Sequence, residues 1–193
     1  MPHKRLIIFS APSGAGKTTI ARHLLAQYPQ TTFSVSATTR PRRAQEVHAK
    51  DYYFLSKEEF EMAIAGNELA EYEQIFGNYY GTLKREINTA LEAGKVLVFD
   101  IDVKGALSLQ RAYPDDALLV FVAPPSMEIL KQRLRERNTE SEEQLQLRFA
   151  RAEMELQEQH KFDEIIVNDN LDQAFNAARE LMRKHGVVEK NAV

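Results

Sequence analysis

One segment of the sequence, residues 10–19, has the residue types and spacing of a phosphate-binding loop. Gly14 and Gly16 allow backbone N–H groups to converge on phosphate oxygens without obstruction by side chains. Lys17 can reach the β- and γ-phosphates of a nucleotide, and the hydroxyl of Thr18 can bind Mg²⁺. The general form of this motif has a glycine at the position of Ala11. The segment predicts a nucleotide site but does not identify the acceptor.

A second group of residues could bind another anion. Arg40, Arg42 and Arg43 lie close together, and planar guanidinium groups bind phosphate through two parallel hydrogen bonds. Tyr52 and Tyr80 could add phenolic donors. Composition alone favours equally a solvated basic loop beside core tyrosines, so both interpretations stay open.

Two aspartates lie at the end of a buried strand pattern, where ligands collect in open α/β sheets. If the chain stays extended, the spacing of two residues puts Asp100 and Asp102 on one side. Asp100 could contact Mg²⁺ through water, or it could cap the next helix, and the two hypotheses are about equally favoured.

These residues need elements that position them, and the sequence alternates strand patterns with helix patterns. Apolar runs typical of buried strands occupy residues 6–9, 96–99, 118–122 and 165–167. Amphipathic helix patterns follow at about 17–28, 103–112, 126–137 and 171–185. Repeated strand–helix units predict a parallel sheet covered by helices on both faces.

The middle of the chain breaks this alternation. Residues 32–82 form short polar and aromatic segments that contain five of the seven tyrosines. We expect one strand over 32–38, a small helix that begins with the capping box Ser56–Glu59, and other short antiparallel strands. This region is predicted to be an insert with its own small sheet. A charged helical stretch over 126–160 restarts at a second capping box, Ser141–Gln144.

Composition limits the class of protein. The 193 residues suit one domain; 44% are hydrophobic and 27% charged, which excludes a disordered chain, a collagen and a coiled coil. The net charge of −3 gives no sign of a nucleic-acid or membrane partner. The absence of cysteine excludes disulfides, thiolate nucleophiles and cysteine-bound zinc. Without a targeting or membrane segment, we expect a cytoplasmic protein.

The sequence resembles the guanylate kinase family almost from end to end. The matching stretches are residues 10–18, 33–40, 77–82, 100–102 and 167–169. The resemblance implies transfer of the γ-phosphoryl group of ATP to GMP, and to dGMP, with Mg²⁺. It implies an α/β fold, a three-layer P-loop kinase with a parallel core sheet, a small mixed-sheet GMP-binding insert and a helical lid.

The resemblance also divides the single domain into parts. The core is expected over about 1–35, 94–125 and 158–193, the GMP-binding insert over about 36–93 and the lid over about 126–157. The expected partners are the small molecules ATP and GMP, without a nucleic acid or a membrane.

The same resemblance assigns residues to each part of the site. ATP should bind to Ala11, Pro12, Ser13, Gly14, Ala15, Gly16, Lys17, Thr18, Thr19 and Asn168, the last beside the adenine. The GMP phosphate should bind to Ser36, Arg40, Arg43, Tyr52 and Tyr80, with Arg42 as an alternative to Arg43. The guanine should bind to Glu71, Thr82 and Asp102. The metal is assigned to Thr18 and Asp100, and catalysis to Lys17 and the lid residues Arg137 and Arg148.

Chemistry supports the assignment of Glu71. Guanine presents two donors on one edge, N1–H and the 2-amino group, and a carboxylate offers two matching acceptors. Adenine has a lone pair at N1 and no 2-amino group, so the same carboxylate would be left unpaired, which can cost on the order of 10⁴-fold in specificity.

The sequence departs from the family pattern in the arginine loop. Proline stands one position early in Arg40-Pro41-Arg42-Arg43, and Gln45 and Ala49 occupy positions that are commonly glycine. If those glycines serve positive φ angles, the loop should follow a different path here. Two other functions stay open: a non-catalytic guanylate-kinase-like binding module, and a related kinase that acts on a ribose phosphate.

Overall fold

The computed structural model describes residues 4–75, 77–136 and 141–187. The nine strands of these ranges are β1 Leu6–Ser10, β2 Thr31–Phe33, β3 Ala37–Thr38, β4 Tyr53–Phe54, β5 Leu69–Ile75, β6 Asn78–Leu83, β7 Val96–Asp100, β8 Ala117–Ala123 and β9 Glu164–Val167. The helices are α1 Lys17–Gln27, α2 Lys57–Ala65, α3 Lys84–Glu92, α4 Val103–Ala112, α5 Met127–Glu136, α6 Glu142–Gln157 and α7 Leu171–Lys184. A 3₁₀ helix, Glu158–Lys161, follows α6.

The core is a five-stranded parallel sheet with the strand order β2-β7-β1-β8-β9. Residues of β1 and β8 are buried along their whole length, as continuous apolar runs require. One face packs on α1, α5, α6 and α7 through residues such as Leu24 and Phe149. The other face packs on α3 and α4 through Ile87 and Leu109. The three-layer α/β prediction is confirmed.

The small sheet has the order β4-β3-β6-β5 and lies in the middle of the chain, as expected. The expectation of a single strand over 32–38 is wrong. Thr31–Phe33 pairs with β7 in the core sheet, whereas Ala37–Thr38 pairs with β6 in the small sheet. The residue pattern predicted antiparallel strands, but β3 and β4 are parallel. The mixed sheet that the family resemblance implies is therefore confirmed. Residues 39–52 form a long loop that returns the chain to the start of β3, and only parallel pairing is then possible.

Both predicted capping boxes are present. Ser56 and Glu59 satisfy each other's backbone N–H groups at the start of α2, and Ser141 and Gln144 do the same at α6. The predicted lid residue Arg137 lies outside the described residues. Within the described ranges, every helix is too short or too polar to cross a membrane.

Candidate active site

The phosphate-binding loop joins β1 to α1, as its sequence indicates. Gly14 and Gly16 have φ angles of 91° and 93°, a conformation that side chains disfavour. Ala49 and Asn67 are the only non-glycine residues of the described ranges with positive φ. Ala11, which replaces the usual glycine, is therefore accommodated in a buried position without left-handed strain.

One carboxylate holds the two polar side chains at the start of α1. The Nζ atom of Lys17 lies 2.5 Å from Oδ1 of Asp100 and donates to the carbonyl oxygen of Ile101 at 2.9 Å. The hydroxyl of Thr18 donates to Oδ2 of Asp100 at 2.5 Å. A hydroxyl and a carboxylate side by side are oxygen ligands of the kind that Mg²⁺ takes together with nucleotide phosphates.

The helix-capping role falls on Asp102 and not on Asp100, which corrects one of the two hypotheses above. Asp102 is the N-cap of α4, and its Oδ1 accepts a 2.8 Å hydrogen bond from the N–H of Gly105. Its Oδ2 accepts a 3.2 Å hydrogen bond from Nη2 of Arg151. Two donors therefore fix the plane of the carboxylate.

Two cavities meet at the end of β7. The first, which we call the loop cavity, has a volume of about 390 Å³. It is lined by Ala11, Pro12, Ser13, Gly14, Gly16, Lys17, Thr18, Thr19, Ile75, Asp100, Asp102, Arg148, Arg151 and Glu155. The second, the insert cavity, has a volume of about 230 Å³. It is lined by Lys17, Ser36, Tyr52, Glu71, Glu73, Ile75, Tyr80, Gly81, Asp100, Ile101 and Asp102. The two cavities share Lys17, Ile75, Asp100 and Asp102.

Glu71 lies deep in the insert cavity. It is paired in register with Thr82 of β6, whose hydroxyl donates a 2.6 Å hydrogen bond to Oε1 of Glu71. Its side chain is almost completely buried, and this burial raises the pKa of Glu71 to about 7. The hydrogen bond from Thr82 opposes the rise in pKa, and the nearby charge of Asp102 adds to it.

The arginine loop is organised by Glu46, which the sequence did not single out. Arg40 donates to both carboxylate oxygens of Glu46, at 2.7 and 3.1 Å. The backbone N–H of Arg43 donates to Oε2 of Glu46, and Nη1 of Arg42 donates to its carbonyl oxygen. The side-chain hydrogen bond from Arg40 lowers the pKa of Glu46. None of the three arginines lines the insert cavity, which their expected neighbours Ser36, Tyr52 and Tyr80 do line.

Arg40 nevertheless lies next to that cavity, because its guanidinium carbon is 5.4 Å from the centre of the Tyr52 ring. Burial raises the pKa of Tyr52, so its hydroxyl stays protonated and able to donate. Ala49 has a φ angle of 61°, so it adopts the left-handed conformation although it is not glycine. Gln45 has no positive φ.

Helix α6, which belongs to the predicted lid, contributes two arginines to the loop cavity. Nη1 of Arg148 donates to the hydroxyl of Ser13 at 3.1 Å, so Arg148 lies beside the phosphate-binding loop, and its contact with the phosphates stays a prediction. Arg151 and Glu155 also line the cavity and form a 2.9 Å ion pair. Sequence reasoning missed this pair; its one signal was that Arg151 follows Arg148 by one helical turn.

Asn168 forms a buried hydrogen bond with the phosphate-binding loop. Its buried side-chain amide donates to the carbonyl oxygen of Ala15 at 2.7 Å, and its own carbonyl oxygen accepts a 3.1 Å hydrogen bond from Arg133. Asn168 lines neither of the two cavities. Its expected contact with adenine therefore stays a prediction.

Comparisons with known proteins agree with this geometry. The family model described as guanylate kinase matches residues 3–185. A guanylate kinase of Chlorobium luteolum is 52% identical over 173 residues, which is 90% of this chain and 88% of the relative. One of Chlorobaculum tepidum is 53% identical over 173 residues, with 90% and 89% covered.

Similarity of structure extends over the whole chain. The crystal structure of guanylate kinase from Anaplasma phagocytophilum superposes with a TM-score of 0.76 at 27% identity and covers 100% of this chain and 90% of that one. The family match, the identities near one half and the shared fold agree with one another: the chain belongs to the guanylate kinase family.

Proposed function

We propose that the chain transfers the γ-phosphoryl group of ATP to GMP, and to dGMP, giving ADP and GDP or dGDP. The observation that carries this proposal is the common wall of the two cavities. Lys17 and Asp100 line both the loop cavity and the insert cavity. A phosphoryl donor in the first and an acceptor in the second would meet at these residues, and such positioning is the main demand of phosphoryl transfer.

Guanine is the base that the insert cavity suits best. The ionised carboxylate of Glu71 can accept hydrogen bonds from guanine N1–H and the 2-amino group while Thr82 holds one of its oxygens. With adenine the same carboxylate would face a lone pair, and leaving a buried charge unpaired is costly. The oriented carboxylate of Asp102 lines the same cavity and can accept a further donor.

The acceptor phosphate is assigned to the hydroxyl groups of the insert cavity and to the arginine loop beside it. Ser36, Tyr52 and Tyr80 line the insert cavity together with Glu71 and offer hydroxyl donors. Arg40 forms two hydrogen bonds with the carboxylate of Glu46. A phosphate offers a guanidinium two oxygens in a similar arrangement, so it can bind Arg40 in the same way. We assign Arg40 to the GMP phosphate on this basis, and Arg43 by the family resemblance, with Arg42 as its alternative.

In the loop cavity, where the phosphoryl donor would bind, a metal ion and several cationic side chains would act together. Thr18 and Asp100 would hold Mg²⁺, which would neutralise charge on the phosphates when it is bound. Lys17, Arg148 and Arg137, the last outside the described residues, would stabilise the charge that develops on the transferred group. A separate general base is unnecessary, because a phosphate monoester has its second pKa near ~6 and is mostly dianionic at neutral pH.

An acceptor panel tests the proposal against its two alternatives. ATP is offered with GMP, dGMP, AMP, UMP and ribose 5-phosphate, and ADP release is measured with and without Mg²⁺. We expect activity with GMP and dGMP that requires Mg²⁺, and none with Lys17→Ala. Preference for ribose 5-phosphate would support the sugar-phosphate kinase. Absence of turnover together with absence of ATP binding by calorimetry would support the binding module.

A further inference from the structure

Arg151 connects the lid helix α6 to both other parts of the molecule. Its Nε atom donates to Glu155 of the same helix at 2.9 Å, and its Nη2 atom donates to Asp102, the N-cap of α4, at 3.2 Å. The same Nη2 atom lies 4.0 Å from Oε2 of Glu73 on strand β5 of the small sheet. One guanidinium therefore lies among carboxylates of the lid, the core and the insert.

Glu73 provides an independent sign that this arrangement matters. Its Oε2 atom is buried and has no hydrogen-bond donor within the described part of the chain. Its other oxygen, Oε1, is 3.4 Å from the exposed Lys104. A buried carboxylate oxygen without a hydrogen bond is costly, and the Nη2 atom of Arg151, at 4.0 Å, offsets part of this cost as an ion pair.

Arg151 lines the loop cavity, so a direct contact with the phosphates of ATP is the obvious alternative role. The geometry does not favour it, since the guanidinium already donates to Glu155 and Asp102.

The carboxylate of Asp102 can still accept hydrogen bonds from a substrate. A carboxylate has about four lone-pair sites, two on each oxygen. Gly105 donates to one site on Oδ1 of Asp102, and Arg151 donates to one site on Oδ2. Each oxygen keeps a free site for a substrate donor.

We propose that Arg151 is a positioning residue of the acceptor site, which orients Asp102 toward the guanine of GMP and joins α6 to the insert through Glu73. This role rests on the proposed function of the insert cavity. It predicts that Arg151 acts on GMP and not on ATP, although it lies on the helix that supplies the phosphate-binding Arg148.

Steady-state kinetics of Arg151→Gln, Glu73→Gln and the double variant test this inference, with both substrates varied. We expect kcat/KM for GMP to fall about tenfold in Arg151→Gln, mainly through KM, while KM for ATP changes less than twofold. Because the two residues act as one unit, the double variant should lose much less than the product of the two single losses. Arg151→Lys should recover only part of the loss, because one ammonium cannot serve two carboxylates as the fork does.

Lys131→Gln is the matched control. It removes one positive charge from the lid region, where Lys131 pairs with Glu153 at 3.7 Å, without contact with either cavity. A rise in KM for ATP with an unchanged KM for GMP in Arg151→Gln would overturn the inference and assign Arg151 to the donor. Equal losses in Lys131→Gln would overturn it as well, because a general charge effect would then suffice. The GMP-over-AMP preference of the unmodified chain tests the proposed function separately.

Discussion

A methyl group on Gly105 would stand only 2.8 Å from Oε2 of Glu71, although Gly105 lies in helix α4 and Glu71 lies in strand β5 of the small sheet. Gly105 lies in the first turn of α4, and its N–H also binds Asp102 at 2.8 Å. A Cβ atom there would come within 3.1 Å of Oδ1 of Asp102. The absence of a side chain at this one position therefore lets both carboxylates of the insert cavity approach the start of the helix.

The substitution Gly105→Ala should damage guanine binding without damaging the fold. Alanine is about 1 kcal/mol more favourable than glycine inside a helix, and the atom it would meet is the end of a flexible side chain, so Glu71 should move. A displacement of this size can cost on the order of 10²-fold, and we expect kcat/KM for GMP to fall by about 10- to 100-fold. The melting temperature should stay close to that of the unmodified chain.

Kinetics and thermal unfolding check this prediction together. Gly66→Ala, at the end of α2 and away from both cavities, is the matched control and should leave kcat/KM for GMP unchanged. If Gly105→Ala has the same kcat/KM as the unmodified chain, the close contact between Gly105 and Glu71 has no role in binding.

Ionisation of Glu71 should weaken the fold. Its pKa is about 7 in the folded chain, against 4.5 for the free side chain, so the folded state binds more protons between these values. Stability should therefore fall as the pH rises through this window, by on the order of 3 kcal/mol at most. Glu71→Gln removes the effect, so urea unfolding should show the variant to be more stable than the unmodified chain at pH 8, with a smaller difference at pH 5. A constant difference would contradict the raised pKa.

The same ionisation should favour the substrate. Only the carboxylate form of Glu71 can accept both guanine donors, so KM for GMP should fall as the pH rises from 6 to 8. The phosphate of GMP titrates in the same range, with a pKa of about 6. The Glu71→Gln variant keeps the pH dependence of KM that comes from the phosphate and loses the part that comes from Glu71. We expect a weaker pH dependence of KM and a much smaller GMP-over-AMP preference in the variant. An unchanged preference would remove Glu71 from the guanine site.

The sequence predicted the core of the fold because its signal is local. The apolar runs of β1, β7 and β8 are continuous, and such runs are typical of strands in a parallel sheet that is covered on both faces. The error at residues 32–38 has the opposite cause. Local composition indicates an extended chain, but hydrogen bonds to β7 and to β6, distant in sequence, decide which sheet each half joins.

The candidate site shows the same division. The phosphate-binding loop is contiguous, so its residues and their spacing could be recognised directly. Glu46, Glu73 and Arg151 could not be recognised, because charged residues on a loop, a strand or a helix look like any solvated surface. Only the tertiary contacts of Arg40 with Glu46, and of Arg151 with Asp102, distinguish them.

Asn168→Ala should loosen the phosphate-binding loop. The side-chain amide of Asn168 donates to the carbonyl oxygen of Ala15, and a Cβ atom on Gly16 would stand 2.2 Å from its nitrogen. Losing this buried hydrogen bond should cost about 1–3 kcal/mol of stability. KM for ATP should rise several-fold, with little change in KM for GMP. Asn170→Ala, which removes the N-cap of α7 at a cost of about 1 kcal/mol, is the control for lost stability alone. Equal effects of both variants on KM for ATP would show that Asn168 acts only through stability.

Ala49→Gly should stabilise the chain, because Ala49 holds a φ angle of 61° in the arginine loop. For a residue with a Cβ atom the left-handed conformation costs roughly 1–2 kcal/mol, which glycine avoids. Glycine also gains conformational freedom in the unfolded chain, which offsets about 0.5–1 kcal/mol of this benefit. We therefore expect a net increase of about 0.5–1 kcal/mol in the free energy of unfolding, measured with urea. Asn67→Gly is the matched control: Asn67 has a φ angle of 54°, but asparagine tolerates this conformation, so the gain should be smaller. A decrease in the free energy of unfolding of about 0.5–1 kcal/mol in Ala49→Gly, as expected for glycine at an ordinary negative φ, would contradict this prediction. It would show that alanine adopts the left-handed conformation in this loop without cost.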